Sequence, residues 1–116
     1  GEFPFWLAPE QIRILPVSDD ARSFSEKVQR KLLVQGISAT VDESGERLGK
    51  LIRNGEKAKI PVLAVIGAKE AQNNTVSLRS RKNGDIGEIS VDELVNYCVQ
   101  ANEKKSEDAP IGVSLT

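Results

Sequence analysis

Apolar positions follow strand-like and helix-like spacings in turn through the first part of the chain. A dense apolar stretch over 11–17 predicts a first strand that is buried on both faces. Apolar residues then recur every three or four positions over 21–32, which predicts a helix that ends at Gly36. The polar residues at 18–20 offer side chains for its N-cap. The pattern therefore opens with a strand followed by a helix.

The middle of the chain repeats that order. Strict alternation over 37–41 predicts a second strand with one polar face, and a short apolar stripe over 48–52 predicts a second helix. An unbroken apolar run over 62–66, closed by Gly67, is typical of a central strand covered on both faces. The order βαβαβ indicates an α/β layer fold whose first three strands are parallel.

The last part of the chain predicts a hairpin and a helix. After an expected turn at 73–74, alternation over 75–81 places Arg79 and Arg81 on one face of a fourth strand. The Asn-Gly pair at 83–84 is a strong hairpin signal and leads to a last strand.

That last strand is expected at 86–89, directly before the final helix. Ser-Val-Asp-Glu at 90–93 reads as a capping box for this helix, whose apolar stripe includes Cys98. We expect three regions: a packed lead-in over 1–9, pinned by its three aromatic residues, a single domain over 10–102 and a disordered tail over 103–116.

Composition narrows the classes of function. The chain has 116 residues, 39% of them hydrophobic, enough for a single core, and no apolar run reaches the ~20 residues that would cross a membrane. With no histidine and one cysteine, a zinc site, a Ser-His-Asp triad and a Cys-His pair are excluded, so we expect no metal and no catalytic residue. Cys98 is expected to be a buried, inert thiol. The net charge of −1 means that any nucleic-acid contact must be a local patch.

Candidate binding residues follow the strand ends. Ligands of open α/β sheets favour the crevice beyond the carboxyl ends of the strands. We expect polar residues at 42–47, 67–70 and Arg79 to converge there, with Lys50 and Arg53 along the neighbouring helix. The alternative is a solvated charged rim, in which Lys69 and Glu70 form only a surface ion pair. The loop at 45–50 lacks the spacing of a phosphate-binding loop.

Four stretches of sequence carry a resemblance to a known family. They read FPFWLAPEQIRILPV at 3–17, LGKLIR at 48–53, IPVLAVIGAKE at 60–70 and TVSLRSR followed by GDIG at 75–87. In order and spacing they resemble the C-terminal anticodon-binding domain of threonyl-tRNA synthetases, from residue 3 to about residue 102. The resemblance implies a three-layer fold in which three helices flank a five-stranded mixed sheet.

The resemblance also implies site residues. In the family, a Lys-Glu pair after the third strand and the first Arg of Arg-x-Arg contact the anticodon, and these positions are Lys69, Glu70 and Arg79 here. A carboxylate can accept from both donors on the Watson–Crick edge of guanine, the middle base of threonine anticodons. Lys69 and further cations would offset phosphate charge; those further cations are Arg47, Lys50 and Arg53.

One stretch departs from the family. Where the family commonly has Arg-Asn-Glu-Lys after the second strand, this chain has Ser-Gly-Glu-Arg at 44–47. The asparagine that contacts the third anticodon base is replaced by Gly45. Contact with that base would come from the backbone, from Ser44, or not at all.

The partners implied are the anticodon loop of a threonine tRNA and the rest of the synthetase chain, with no membrane. The parent enzyme is expected to be a homodimer that uses ATP, Mg and Zn in a separate catalytic core, so this domain would need no cofactor. With one cysteine, we expect a reducing compartment: the cytoplasm, or a mitochondrion or chloroplast. The alternatives are a paralogous module that binds other nucleic acid or protein, and a flavodoxin-like enzyme, for which the acidic loop at 18–20 is unsuited.

Overall fold

A computed structural model describes residues 3–105, in which five strands form one sheet. The strands are β1 Ile12–Pro16, β2 Ala39–Val41, β3 Val62–Ile66, β4 Thr75–Ser80 and β5 Gly84–Ser90. Their order across the sheet is β2-β1-β3-β4-β5, with the first three parallel and the last two antiparallel to their neighbours. The mixed sheet predicted from the sequence is confirmed, and β3 lies at its centre as expected.

Helices cover both faces of the sheet. The described α-helices are α1 Arg22–Val34, α2 Leu48–Lys57, α3 Ala68–Asn73 and α4 Val91–Glu103. α1 and α4 share one buried cluster with the sheet, and α2 packs on the opposite face. The three-layer α/β arrangement is therefore confirmed.

The face under α1 and α4 holds the larger core. Alternate residues of β3 (Val62, Ala64 and Ile66) point into it, whereas Leu63 points toward α2. The four side chains are at most 4% exposed, which explains why this strand reads as an unbroken apolar run.

The face under α2 holds a smaller core of Leu15, Leu51, Ile60 and Leu63. Gly55 allows the helix to approach the sheet closely, because a Cβ at that position would lie 2.6 Å from Leu63 Cδ2. Glycine disfavours a helix interior, but here packing requires it.

The lead-in segment is tied to the domain by a buried amide. Gln11 Nε2 donates to the Phe5 carbonyl and to Asn102 Oδ1, both at 2.8 Å, and Gln11 Oε1 accepts from the Ser38 backbone N–H at 2.9 Å. Phe5 is fully buried. Phe3, which was also expected to pin this segment, is 53% exposed.

Helix ends differ from the sequence-based expectation in two places. A 3-10 turn over Asp19–Ala21 precedes α1, and Ser18 makes no side-chain capping bond. At the other terminus, α4 continues to Glu103, one residue into the predicted tail. Residues 106–116 of that tail, and residues 1–2 of the lead-in, lie outside the described residues.

The short helix α3 is the element that the pattern did not predict. Its six residues include no buried one, so no apolar stripe marks it in the sequence. Asn74 ends it in the left-handed conformation at φ 60°, close to the predicted turn. The final helix begins as predicted, with Ser90 Oγ accepting from the Glu93 backbone N–H at 3.1 Å.

Candidate nucleic-acid interface

Glu70 joins α3 to the sheet. Its Oε1 accepts from the Gly67 backbone N–H at 2.7 Å, and its Oε2 accepts from Ser77 Oγ at 3.2 Å. The first bond satisfies a donor at the start of α3, as an acidic residue in the first helical turn commonly does. Gly67 leaves room for it, since a Cβ there would lie 3.1 Å from that oxygen. The carboxylate is half-buried and held in place by two donors.

Lys69 is paired with the last strand rather than with Glu70. Its Nζ lies 3.6 Å from Glu88 Oε1, and Thr75 Oγ1 donates to Glu88 Oε2. The hydrogen bond from Thr75, aided by the charge of Lys69, lowers the pKa of the exposed Glu88 carboxyl. An ion pair between Lys69 and Glu70, considered from the sequence, is not the one that the structure shows.

Arg79 lies on the sheet face of Ser77, but farther from the carboxyl ends of the parallel strands than expected. It pairs with Leu63, near the amino end of β3, because β4 is antiparallel and runs back from the edge. Ser77 precedes it by two residues on the same face, about 7 Å along the strand. Arg79 borders a cavity of about 210 Å³ whose apolar wall includes Ile60 and Leu63. Arg79 is therefore not at the strand ends. It lies on the sheet face of Ser77, the residue that donates to Glu70.

Arg81, expected on the same strand face as Arg79, follows β4 instead. Its guanidinium donates to the carbonyls of Lys59 at 3.0 Å and Phe3 at 2.9 Å. These bonds tie the hairpin to the lead-in segment and to the end of α2, which is a structural role.

Polar groups within the loop between β2 and α2 form hydrogen bonds with one another. The backbone N–H and Oγ of Ser44 both donate to Asp42 Oδ1, at 2.8 and 2.6 Å. Gly45 follows at φ +73°, with nothing within 4 Å of the position a Cβ would take. This loop leaves the same edge of the sheet as the residues after β3, about 10 Å away across β1.

The predicted basic residues of α2 are exposed. Arg47 is the N-cap residue of α2, Lys50 lies 3.5 Å from Glu46 Oε1, and Arg53 follows three residues later. Lys50 and Arg53, three residues apart within the helix, are neighbours on its surface. Arg47 has an extended backbone and directly precedes the first turn. The start of α2 thus presents these cations next to the loop that carries Gly45.

Two residues that contact the predicted site residues were not identified from the sequence. Ser77 holds Glu70, and Glu88 holds Lys69. The alternation over β4 already placed Ser77 on the face of Arg79, and the hairpin at 83–84 places Glu88 opposite Ser77. Their hydrogen bonds depend on the position of α3, which no pattern indicated.

Residues 3–105 include neither a cluster arranged for a metal ion nor a helix that could span a membrane, and they bury the one cysteine. No group of three or more histidine, cysteine, aspartate or glutamate side chains there is arranged to hold a metal ion. Nor is any helix in that range both long and apolar enough to cross a membrane. Cys98 is buried, as predicted, and burial raises the pKa of its thiol to about 12, which makes it a poor nucleophile.

Comparisons with known proteins show the family of the chain. Residues 11–101 match the family model described as anticodon binding domain. The chain is 60% identical over 105 residues to a threonine–tRNA ligase of Synechococcus sp. (strain CC9902), covering 90% of this chain and 17% of that protein. The chain therefore spans about a sixth of the length of the curated relatives it matches.

Solved structures share the fold. The RNA binding domain of threonyl-tRNA synthetase from Cryptosporidium parvum Iowa II aligns with a TM-score of 0.80 at 28% identity, over 86% of this chain and 25% of that one. A prolyl-tRNA synthetase of Cryptosporidium parvum aligns with a TM-score of 0.78 at 17% identity, over 89% of this chain and 22% of that one. The family match covers most of the chain, and the chain belongs to the anticodon-binding domain family of aminoacyl-tRNA synthetases.

Proposed function

We propose that this domain reads the anticodon of a threonine tRNA as part of a threonine–tRNA ligase. The observation that carries the proposal is the carboxylate of Glu70, which two donors hold on a sheet face that it shares with Arg79. Similarity to relatives named threonine–tRNA ligase supports threonine tRNA as the partner.

Glu70 is the proposed reader of the middle base. Each carboxylate oxygen can accept more than one hydrogen bond, so the bonds from Gly67 and Ser77 leave lone pairs on both oxygens. Guanine offers two adjacent donors on its Watson–Crick edge, and adenine lacks the exocyclic amine at the corresponding position. Paired acceptors on Glu70 therefore favour guanine. Arg79 adds a donor or a planar surface for stacking.

Contacts to the phosphates of the tRNA would add affinity without discriminating between bases. In this proposal, Lys69 at one end of the surface and the cations of α2 at the other would meet the phosphate backbone of the anticodon loop. The α2 cations are Arg47, Lys50 and Arg53. With a net charge of −1, the domain must rely on these few contacts, so affinity should fall steeply as salt rises.

The third base is proposed to be read weakly. Gly45 has no side chain to offer, and the Ser44 hydroxyl is already bonded to Asp42. Contact with this base would then depend on the backbone of the loop.

The remainder of the proposed enzyme lies outside this chain. There, ATP, Mg and Zn would serve aminoacylation in a catalytic core, in a homodimer of the cytoplasm or of an organelle. Anchoring the anticodon here would use binding energy far from the reaction to select the tRNA.

The test is Glu70→Gln, measured with anticodon stem-loops that carry guanine, inosine or adenine at the middle position. Glutamine keeps one acceptor for the Gly67 N–H but loses the second acceptor and the charge. Loss of a paired base contact is expected to cost on the order of 1–3 kcal/mol of discrimination. Glu88→Gln, on the same face, is the matched control and should leave base preference unchanged. A Glu70→Gln domain that prefers guanine as strongly as the parent would refute this role.

A further inference from the structure

Ser77 lies where α3 meets the same face of the sheet that α2 covers. It is half-buried on β4, two residues before Arg79 and directly opposite Glu88 on β5. Its hydroxyl donates to Glu70 Oε2 at 3.2 Å. The two neighbours of Ser77 in sequence, Val76 and Leu78, are fully buried in the opposite face. The strand therefore fixes the direction of the Ser77 side chain.

The two donors to Glu70 have different effects. The Gly67 backbone N–H locates Oε1 at 2.7 Å, but it leaves the carboxylate plane free to turn about the last side-chain torsion. For glutamate that torsion is broad, with no sharp staggered minima. A second donor on the other oxygen, supplied by Ser77, defines the plane. Recognition of two adjacent donors on guanine requires a defined plane, because both oxygens must lie along the base edge.

We propose that Ser77 is a positioning residue for base recognition, which orients the Glu70 carboxylate so that both oxygens face the guanine edge. This inference rests on the proposed role of Glu70. Ser77 acts through Glu70 and sets the preference between bases, whereas the phosphate contacts set the overall affinity.

Three variants of the full chain test the role. Ser77→Ala removes the donor, Ser77→Thr keeps a hydroxyl on a strand-compatible side chain, and Thr75→Val removes a neighbouring hydroxyl that serves Glu88 instead. Each is measured by its affinity for stem-loops with guanine or adenine at the middle position and by its melting temperature.

Ser77→Ala is expected to reduce the guanine-over-adenine ratio about threefold to tenfold, the size expected for one lost hydrogen bond. Ser77→Thr should restore the ratio, and Thr75→Val should leave it unchanged. If Ser77→Ala lowers affinity for both stem-loops equally, or lowers only the melting temperature, the hydroxyl is merely structural and the inference is wrong.

The Glu70→Gln background separates this inference from the proposed function. In this background Ser77→Ala should cause no further loss of base preference, because the carboxylate that Ser77 orients is absent. If Glu70→Gln reduces the preference in the parent chain and Ser77→Ala does not, Glu70 is the reader and Ser77 does not position it. If Glu70→Gln itself leaves the preference intact, the proposed role of Glu70 fails and this inference fails with it.

Discussion

The two faces of the sheet differ in what their side chains do. Among the described residues, seventeen form the buried cluster beneath α1 and α4, and four form the cluster beneath α2. Beyond the smaller cluster, β4 and β5 keep Ser77 and Arg79 only half-buried and Glu88 exposed. The face beneath α1 and α4 is therefore packed with apolar side chains, whereas the face of α2 also carries polar side chains.

If the proposed function is right, this difference separates stability from recognition. Burial of apolar surface supplies most of the favourable free energy of folding, so the face beneath α1 and α4 determines whether the domain folds. The polar groups of the other face form fixed hydrogen bonds on a scaffold that is already stable. Consecutive residues of β4 serve the two purposes in alternation, because side chains of a strand point to opposite faces.

The largest effect is expected for Leu94→Ala, a fully buried residue of α4. Removing a buried leucine side chain leaves a cavity and should lower the free energy of unfolding by about 2–5 kcal/mol. Urea denaturation measures the loss. At temperatures where the variant is folded, its preference for guanine over adenine should equal that of the parent. A changed preference would break the separation between the two faces.

A smaller loss of stability is expected from Gly55→Ala, on the face of the sheet that α2 covers. The added Cβ would lie 2.6 Å from Leu63 Cδ2, and overpacking of this kind costs about 1–3 kcal/mol. Gly49→Ala is the matched control in the same helix, since nothing lies within 4 Å of its Cβ position. There, alanine should stabilise α2 by up to about 1 kcal/mol. The melting temperatures of the two variants should therefore shift in opposite directions. If both shift in the same direction, close approach of α2 to the sheet is not what requires glycine at position 55.

The buried elements could be predicted from the sequence, and for a physical reason. The apolar run over 62–66 matches β3 residue for residue, and the stripe that includes Leu94 and Cys98 marks the buried side of α4. Burial selects residue type at regular intervals, so periodicity records it. The Asn-Gly pair at 83–84 predicted the hairpin because few residues adopt the positive φ seen at Gly84.

The geometry of the site could be predicted only in part. The resemblance pointed to Glu70 and Arg79, but the sequence placed Arg79 at the strand ends, because spacing alone does not give the depth of a residue along an antiparallel strand. Helix α3 buries no residue and left no periodic signal. The bonds of Glu70 to Gly67 and Ser77 depend on that helix, so they could not be inferred before it was seen.

A third prediction concerns pH and a polar cluster on the face of α2. Burial raises the pKa of Glu10, but hydrogen bonds from Arg13 and Thr40, with the charge of Arg13, outweigh it and hold the pKa below its ordinary value of 4.5. A lowered pKa means that the folded state favours the ionised form. Its contribution to stability is therefore present above about pH 4.5 and is lost as the pH falls through the lowered value.

Glu10→Gln should accordingly be less stable than the parent near neutral pH, by up to about 1 kcal/mol for a partly exposed pair. The two should converge in acid. Urea titrations across this range measure the difference, and a gap that is independent of pH would show that ionisation of Glu10 is not the cause. Base preference should not change, which would show that polar groups of this face divide into structural and recognition sets.

The smallest effect is expected at Gly45, in the loop next to the proposed recognition face, which is the sheet face of Ser77 and Arg79. Asparagine tolerates the positive φ of this position better than other side-chain-bearing residues, and a Cβ there meets nothing within 4 Å. Gly45→Asn should therefore fold with a stability change of less than about 1 kcal/mol. Its amide would supply the contact that the resemblance assigns to asparagine. The parent should distinguish third-base variants poorly, and Gly45→Asn should widen their spread in affinity about twofold to fivefold, the effect of one neutral hydrogen bond. Gly45→Ala is the control, because it adds a side chain without a polar group. If the parent already loses as much affinity at the third base as at the middle one, the loop backbone or Ser44 reads that base, and the recognition face extends farther than its side chains indicate.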